Sequence, residues 1–291
     1  MPIQSPRSSL AEAPPPGAAP LSAEGIRKLA SLAHVEWEVV PSTASTNTDL
    51  LERARMNAPR GPVARVADEQ TAGRGRLGRT WQGVAGGSIF LSVAVPWVRD
   101  AASSSAVTLA CGVAVAGVLH REGIEVALKW PNDVLLEGRK LAGILTEVGE
   151  DANGRRTLIA GLGLNLVLGE ETRRRIDAPV AQLAERRDGA ALLRERESWI
   201  VRFAEAMIES AQRFETKGFG AFRAAFDSVF AYRDAPVHVL AAASGAGIDN
   251  ILLQGIARGV DGEGRLLVDS EGNLIAVSSG EVRLRARSGA P

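Results

Sequence analysis

The feature that most constrains this chain is a run of glycine and arginine at 73–81, GRGRLGRTW. Its three glycines let the backbone approach a ligand closely, and its three arginines carry planar guanidinium groups that suit phosphate or carboxylate oxygens. The flanking segments at 62–69 and 88–95 have the composition of strands. Since a flexible cationic loop between two strands adds little to a core, we expect it to hold an anion. The alternative is a solvated basic turn that binds nothing.

Composition narrows the class of protein. The chain has 291 residues, 45% of them hydrophobic, which suffices for a buried core and favours two domains. Its 34 basic and 34 acidic residues cancel, whereas a nucleic-acid-binding protein normally carries a basic excess. The single cysteine, Cys111, lies in an apolar run at 106–119 and excludes both a disulfide framework and a cysteine zinc cluster. We predict a buried thiol and no metal-ligating residues.

The N-terminal region predicts neither a membrane anchor nor a DNA-binding module. Residues 1–21 are rich in proline and alanine, and we expect them to be disordered, with a polyproline bias and no function. They lack the apolar core of a signal peptide, and the chain has no apolar run long enough for a transmembrane helix, so we expect a cytoplasmic protein without membrane contacts. One helix, capped at Ser22 and running to about His34, fits before a strand at 37–40. This leaves no room for a helix-turn-helix pair, and we expect no nucleic-acid partner.

Hydroxyl and amide side chains crowd residues 42–47, STASTN, just before a helical pattern begins. One hydroxyl here is explained as a helix N-cap. Four hydroxyls and an amide in six positions also suit the polar floor of a small-ligand site, because helix N-termini present free N–H groups. The local sequence leaves the cap and the binding role equally open.

Further candidates follow the loop along the chain. A proline ends the strand at 126–130 and sets up a turn that displays Asn132 and Asp133. Small residues on the strands at 140–148 and 157–167 leave space above a sheet for a ligand or another backbone. Lys140 begins the first of these strands, so we expect its ammonium to face a cavity or the sheet rim, with a solvated edge lysine as the alternative.

The last third of the chain changes in character. Residues 179–230 have a helical pattern in which Trp199 and Phe203 face the core. From residue 236 onward, five short strands alternate with glycine-containing turns. This pattern predicts a small all-β barrel.

Four motifs occur in the order GRGRLGRTW at 73–81, KWPNDV at 129–134, RKLAGIL at 139–145 and GLGLN at 161–165. Together they resemble the biotin protein ligase family, in its monofunctional type without a DNA-binding domain. The resemblance spans about residues 38–287. It implies an α+β fold, with a mixed-sheet catalytic domain of the biotin/lipoate ligase type at 22–233 and a C-terminal SH3-like β-barrel at 234–291.

The resemblance also implies a reaction and its residues. Such enzymes use ATP and Mg²⁺ to convert biotin into biotinoyl-5′-AMP, then pass the biotinoyl group to one lysine of the biotin carboxyl carrier protein of a biotin-dependent carboxylase. The implied biotin-binding residues are Ser45, Thr46, Asn47, Gln70, Arg74, Gly75, Arg76, Lys140, Gly143 and Gly161. The implied ATP-binding residues are Arg76, Arg79, Trp81, Lys129, Asn132, Asn165 and Arg285. Lys140, Arg74 and Arg76 are the implied catalytic residues, and their charge agrees, because fixed cations lower the barrier to joining a carboxylate and a phosphate.

Two other readings compete with this one. A lipoate–protein ligase or octanoyltransferase of similar fold is the nearest, and a non-catalytic biotin or nucleotide sensor is the other. An octanoyltransferase needs an accessible cysteine nucleophile, which the apolar setting of Cys111 disfavours. A sensor has no need of Lys140 and a full arginine loop. Because an acyl-adenylate must be shielded from water, we also expect the loop at 73–81 to be mobile without ligand and to order over it.

Overall fold

A seven-stranded mixed sheet forms the larger part of the computed structural model, which describes residues 12–99, 104–176, 178–241 and 251–284. Its strands are β1 (Glu36–Thr43), β2 (Val63–Gln70), β3 (Ser88–Trp97), β4 (Ala127–Lys129), β5 (Asp133–Leu136), β6 (Arg139–Glu150) and β7 (Arg156–Asn165). They lie in the order β1-β2-β3-β7-β6-β5-β4. The pair β1 and β2 is parallel, and the other neighbours are antiparallel.

Helices cover both faces of this sheet. The helices in the described residues are α1 (Ala23–Leu29), α2 (Thr46–Met56), α3 (Ser104–Arg121), α4 (Glu170–Arg175), α5 (Gly189–Arg194), α6 (Arg196–Lys217) and α7 (Arg223–Val229). The long helices α3 and α6 pack on one face of the sheet, and α2 packs on the other. As predicted, Trp199 and Phe203 of α6 are fully buried.

Alternation along the central strands assigns each side chain to one face. On β3, Val93 and Val95 belong to the large core beneath α3 and α6, whereas Ala94 belongs to a smaller cluster with Leu50 of α2. Because successive strand residues point to opposite faces, Ser92 lies on the α2 face. Helix α2 covers only part of that face, and the site described below occupies the remainder.

A second sheet follows near the C-terminal end of the chain. Its strands are β8 (Pro236–Leu240), β9 (Ile251–Val260), β10 (Leu266–Ser270), β11 (Asn273–Val277) and β12 (Glu281–Leu284). They lie in the order β11-β10-β9-β8-β12, and all neighbouring pairs are antiparallel. The five predicted strands are thus confirmed, and the sheet is consistent with an SH3-like domain.

The turn after β4 fixes the second sheet to the first. Trp130 is 2% exposed, and its Nε1 donates a 3.1 Å hydrogen bond to the carbonyl of Gly264. Gly264 has a φ of +74° and lies against Ala106 of α3, where an added Cβ would come within 3.0 Å of the alanine Cβ. One hydrophobic core runs through both sheets, so the division of the chain into two domains at residue 234 stays a prediction.

The first helix is shorter than expected. Ser22 caps α1 as predicted, since its hydroxyl accepts the N–H of Gly25 at 3.0 Å. The helix ends at Leu29, well before His34. A carboxylate oxygen of Glu205 accepts the backbone N–H groups of the next turn, Ser31 and Leu32, at 2.6 and 2.8 Å. These bonds replace the ones that would extend the helix.

The described structure begins at residue 12, and residues 12–21 lie against the first sheet through contacts described below. The predicted boundary at residue 21 stays a prediction. Residues 1–11 are outside the described part of the chain. Within the described residues, no helix is long and apolar enough to cross a membrane.

Replacing Trp130 with Phe should lower the free energy of unfolding by about 1–2 kcal/mol beyond the loss of ring size, because the buried carbonyl of Gly264 loses its donor. Trp37→Phe is the matched control, since Trp37 is also buried and its Nε1 has no hydrogen-bond partner. Urea unfolding of both variants measures the difference. Equal losses in the two variants would show that the hydrogen bond contributes nothing to stability.

Candidate active site

A cavity lies on the α2 face of the first sheet, between the N-terminus of α2, the loop at 73–81 and the start of β12. Ser45 is the N-cap of α2, and its hydroxyl accepts the N–H of Thr48 at 3.5 Å. Thr46 and Asn47, the next two residues, are buried and line the cavity. The hydroxyl-rich segment therefore supplies both a helix cap and cavity-lining groups.

A chain of hydrogen bonds joins the polar side chains at one end of the cavity. Gln70 Oε1 accepts the N–H and the hydroxyl of Thr46 at 2.8 and 3.0 Å. The Thr46 hydroxyl lies 2.7 Å from that of Ser92, which donates to Asn47 Oδ1 at 2.6 Å. The Asn47 amide in turn donates to the carbonyl of Leu145 at 3.1 Å. These mutual bonds hold four side chains in one orientation.

Glycines on β6 and β7 make room for these groups. A side chain at Gly161 would collide with the Asn47 amide, and one at Gly163 would collide with the Trp81 indole. Gly143 pairs with Gly163 in the sheet register and lies beneath the same indole. A Cβ added to Gly143 would lie 3.3 Å from the indole Cζ3. The space predicted above these strands is thus partly filled by the protein's own Asn47 and Trp81.

The arginine loop at 73–81 reverses direction above the sheet. The N–H of Gly75 donates to the carbonyl of Arg79 at 2.7 Å across the bend. Leu77 and Gly78 at its tip have positive φ values of +59° and +72°. Glycine adopts this conformation without strain, so Gly78 permits the reversal.

Two arginines of the loop are held by carboxylates. Arg74 bonds both oxygens of Glu147 on β6, at 3.1 and 2.9 Å. Arg79 forms an ion pair with Glu281, the first residue of β12. The loop is therefore tied to the first sheet on one side and to the second sheet on the other.

Asp133 stands among three cations at the other end of the cavity. Lys140 Nζ lies 2.7 Å from Asp133 Oδ1. The two groups form an ion pair, but the angles between them do not fit a hydrogen bond. Burial lowers the pKa of Lys129, against the attraction of Asp133 and Glu281. Burial likewise lowers the pKa of Arg76, and Asp133 opposes this. Since the cations also repel one another, a second anion entering the cavity would be stabilised.

A β-bulge aims Lys140 at this cluster. The pairing of β6 with β5 passes from Ala142 directly to Lys140 and skips Leu141. Leu141 and Ala142 are both completely buried, so two successive residues belong to the core. Strict alternation would place Lys140 and Gly143 on opposite faces of the sheet. Instead, the Lys140 Nζ lies 3.4 Å from the position of a Cβ added to Gly143, so the two residues share a face. The lysine lines the cavity, as the first of the two expectations had it.

Known proteins match this chain over both sheets. The Biotin/lipoate A/B protein ligase family matches residues 39–165, and the Biotin protein ligase C terminal domain matches residues 248–285. The biotin--[acetyl-CoA-carboxylase] ligase of Mycobacterium tuberculosis is 34% identical over 257 residues, which cover 85% of this chain and 88% of that protein. The chain belongs to the biotin protein ligase family.

A second relative and a solved structure agree with this membership. The bifunctional ligase/repressor BirA of Salmonella typhimurium is 30% identical over 249 residues, covering 85% of this chain and 74% of that protein. The biotin protein ligase from Aquifex aeolicus in complex with biotin and ATP has 25% identity and a TM-score of 0.63, with 87% of this chain and 98% of that one covered. The predicted family and α+β fold are confirmed.

Within the family, biotin is favoured over lipoate or octanoyl substrates. The C-terminal match is to biotin protein ligases, and the relatives above are biotin ligases by name. Cys111 is fully buried in α3, and burial raises the pKa of its thiol to about 12. A thiol with that pKa stays protonated at neutral pH, so it does not supply the nucleophile of an octanoyltransferase.

This biotin protein ligase family member brings most of the predicted site residues to one cavity. The predicted residues that line it are Ser45, Thr46, Asn47, Gln70, Arg74, Gly75, Arg76, Arg79, Trp81, Lys129, Asn132, Lys140, Gly143 and Gly161. Asn165 lies away from the lining, is 1% exposed and donates to the carbonyl of Ala181 at 3.0 Å. Arg285 lies outside the described residues. The ligand-binding roles of these residues stay predictions.

Asp133, in the predicted turn, and Gly163, among the predicted small strand residues, line the cavity as well. Ser92 and Glu281 also line it and were not predicted to do so. Ser92 carries a signal in the sequence, because it is a hydroxyl in the middle of the otherwise apolar segment 89–97. Glu281 carries none, because only the docking of the second sheet brings it to the arginine loop.

Lys129 should lose its proton at a lower pH than the ordinary lysine pKa of 10.5, because burial disfavours its ammonium. Asp133→Asn removes an attraction that favours the ammonium, so the pKa of Lys129 should fall further. An NMR titration of lysine Nζ signals, assigned with Lys129→Arg, measures both values. Asp269→Asn in the second sheet is the control. A Lys129 pKa at or above 10.5 would contradict the burial argument.

Proposed function

We propose that this protein forms biotinoyl-5′-AMP from biotin and ATP and transfers the biotinoyl group to a lysine of a biotin carboxyl carrier protein. The observation that carries the proposal is one cavity with a neutral hydrogen-bonding end at Thr46 and Asn47 and a cationic end at Lys129 and Lys140. The Aquifex aeolicus structure holds both biotin and ATP, and the Mycobacterium tuberculosis relative is named for acetyl-CoA carboxylase.

The neutral end suits the head group of biotin. A ureido group offers a carbonyl acceptor and two N–H donors, and the hydroxyls and amides of Thr46, Ser92 and Asn47 supply complementary partners. The bicyclic ring and valeryl chain need apolar walls, and Leu145 lines the cavity nearby. On this assignment the biotin carboxylate extends toward the cationic end.

Adenylation joins two anions at that end. An oxygen of the biotin carboxylate attacks the α-phosphorus of ATP, a P–O bond forms, and pyrophosphate leaves with the electrons of the bond that breaks. Negative charge accumulates on the oxygens around phosphorus, where Lys140, Lys129 and Arg76 supply fixed positive charge. No nucleophilic side chain is needed, because the substrate carboxylate is the nucleophile. Asp133 keeps these cations together before the substrates bind.

Mg²⁺ belongs to the proposal through the phosphates of ATP. The described residues contain no cluster of three or more metal-ligating side chains. Asp133 and Glu281 are carboxylates on the cavity wall. Since Mg²⁺ at nucleotide sites commonly takes one or two carboxylates together with substrate phosphates, these residues fit an ion that arrives with ATP. Its contribution when bound is to neutralise phosphate charge.

Transfer to the carrier completes the reaction. The neutral ε-amine of the carrier lysine attacks the acyl carbon, a C–N bond forms, AMP leaves, and the new ammonium gives up a proton. Until then the mixed anhydride must be kept from water. The arginine loop, tied at Arg74 and Arg79, is the segment we assign to this shielding.

Lys140→Ala should lower adenylate formation by roughly 10²–10³-fold, the typical effect of losing one fixed electrostatic contact in a transition state. The backbone of Lys140 pairs with that of Val180, so the fold should survive the change. ATP–pyrophosphate exchange in the presence of biotin measures the rate, and a thermal melt checks the fold. The control is Lys217→Ala, an exposed lysine at the end of α6. Near-normal exchange in a folded Lys140→Ala protein would remove this lysine from the mechanism.

Ser92→Ala should raise the KM for biotin by about tenfold and leave the KM for ATP unchanged, because Asn47 loses a donor worth roughly 1–1.5 kcal/mol. Initial rates of exchange at varied biotin and varied ATP separate the two constants. Ser210→Ala is the control, since Ser210 is also buried but its hydroxyl has no partner. An equal rise in both KM values would mean that Ser92 acts on the fold and not on the biotin end.

A further inference from the structure

Residues 12–21, which we term the strap, run along the outside of the first sheet. The half-buried residues of the strap recur at every third position, at Glu12, Pro15, Ala18 and Leu21. A turn bends the strap in the middle, closed by a 3.0 Å hydrogen bond from the Ala18 N–H to the Pro15 carbonyl. Gly17 occupies this turn with a φ of +89°. One side of the strap therefore faces the protein.

Two consecutive glycines receive this side of the strap. The Cβ of Ala18 lies 2.8 Å from the position of an added Cβ on Gly86. The Cγ of Pro15 lies 2.9 Å from the corresponding position on Gly87. Contacts this close leave no room for a side chain at either glycine while the strap is in place.

The C-terminal end of the strap adds hydrogen bonds to a largely buried ion pair. Arg196 is 3% exposed and pairs with the carboxylate of Asp68 on β2. The same carboxylate accepts the N–H of Leu21 at 3.1 Å, and the Arg196 Nη2 donates to the carbonyl of Ala19 at 3.2 Å. A buried ion pair gains stability from additional hydrogen bonds, and the strap backbone supplies one donor and one acceptor to this one.

Asp68 and the pair Gly86 and Gly87 lie at the two ends of the segment 69–85, which carries the arginine loop. We term these three residues the neck. The Gly86 N–H donates to the Asp68 carbonyl at 3.1 Å, and residues 69–85 run from this contact to the cavity and back. Gly87 accepts the N–H of Val167 at 2.9 Å, which ties the neck to the end of β7. The strap thus contacts both sides of the neck, at Asp68 and at the glycine pair.

We propose that the strap is a positioning element for the arginine loop, and that by holding the neck it sets how long the acyl-adenylate stays enclosed. The retention part rests on the proposed function. Strap residues do not line the cavity in the described part of the chain, so any effect on retention passes through the neck. Fixing the two ends of a flexible segment reduces the number of open conformations available to it.

Gly17 offers a substitution that disturbs the strap alone. An added Cβ there meets no atom within 4 Å, so Gly17→Val acts only through the positive φ, which a β-branched residue strongly disfavours. Gly17→Asn is the matched control, because asparagine tolerates positive φ far better. Three measurements apply to each full-length variant: hydrogen exchange at the Leu21 and Trp81 amides, ATP–pyrophosphate exchange with biotin, and the half-life of enzyme-bound biotinoyl-adenylate with serum albumin as the bystander acceptor.

In Gly17→Val the Leu21 amide should lose protection and the Trp81 amide should exchange faster. Adenylate should escape about tenfold faster, which corresponds to a loss of about 1.4 kcal/mol in the free energy of loop closure. Albumin labelling should rise accordingly, while pyrophosphate exchange stays within about twofold of the parent. Gly17→Asn should lie near the parent in every measurement. A loss of stability alone would lower adenylate formation without raising the escape rate.

Two results would overturn the proposal. One is Leu21 losing protection in Gly17→Val while Trp81 exchange and adenylate escape match the parent. The other is Leu21 keeping its protection, because the turn would then not hold the strap. If the parent protein itself formed no biotinoyl-adenylate, the proposed function would fail, and Trp81 exchange would still decide whether the strap positions the loop.

Discussion

The structure depends on keeping like charges together in a cavity before any anionic substrate is present. Three carboxylates each take one cation, since Glu147 pairs with Arg74, Glu281 with Arg79 and Asp133 with Lys140. In the described part of the chain this matching leaves Arg76 and Lys129 as excess positive charge. Those are also the two cavity cations whose pKa is lowered by burial. A nucleotide phosphate entering between them relieves repulsion and desolvation together, and charges 4 Å apart interact by about 4 kcal/mol at an effective dielectric constant of about 20.

Backbone irregularities make this cavity possible on a sheet face that would otherwise be covered. A regular strand places a side chain on each face at every second residue, which would fill the space under Trp81. Gly143 and Gly163 remove those side chains, and the indole lies on the exposed backbone. The bulge at Leu141 then turns Lys140 toward the same face. The glycines and the bulge both reduce packing on the cavity face of the sheet. The large core on the opposite face, which α3 and α6 bury fully, compensates for this loss.

Much of this could be predicted from the sequence where the signal is local. Glycine and arginine between two strands predicted a loop beside the sheet, whose anion-binding role stays a prediction. Small residues on β6 and β7 predicted space above the sheet, which Asn47 and Trp81 partly fill. The sequence does not fix the orientation of Lys140, because a bulge shifts the face of a residue without changing the residues around it. The motif predicts an ATP-binding role for Asn165, which stays a prediction, and the fold directs its amide to the Ala181 carbonyl.

Contacts between distant segments account for the remainder. The strap has few large apolar side chains, and composition alone predicts disorder for such a segment. Its order depends on partners far along the chain, including Arg196 and the N–H of Thr172, which donates to the Glu12 carboxylate at 3.0 Å. Prolines at 14–16 already restrict φ, so ordering this segment loses less conformational entropy than an average chain would lose. A modest set of contacts therefore suffices to hold it. The same logic applies to Glu281, whose place beside the arginine loop follows from the docking of Trp130 against Gly264 and from no property of its own neighbours.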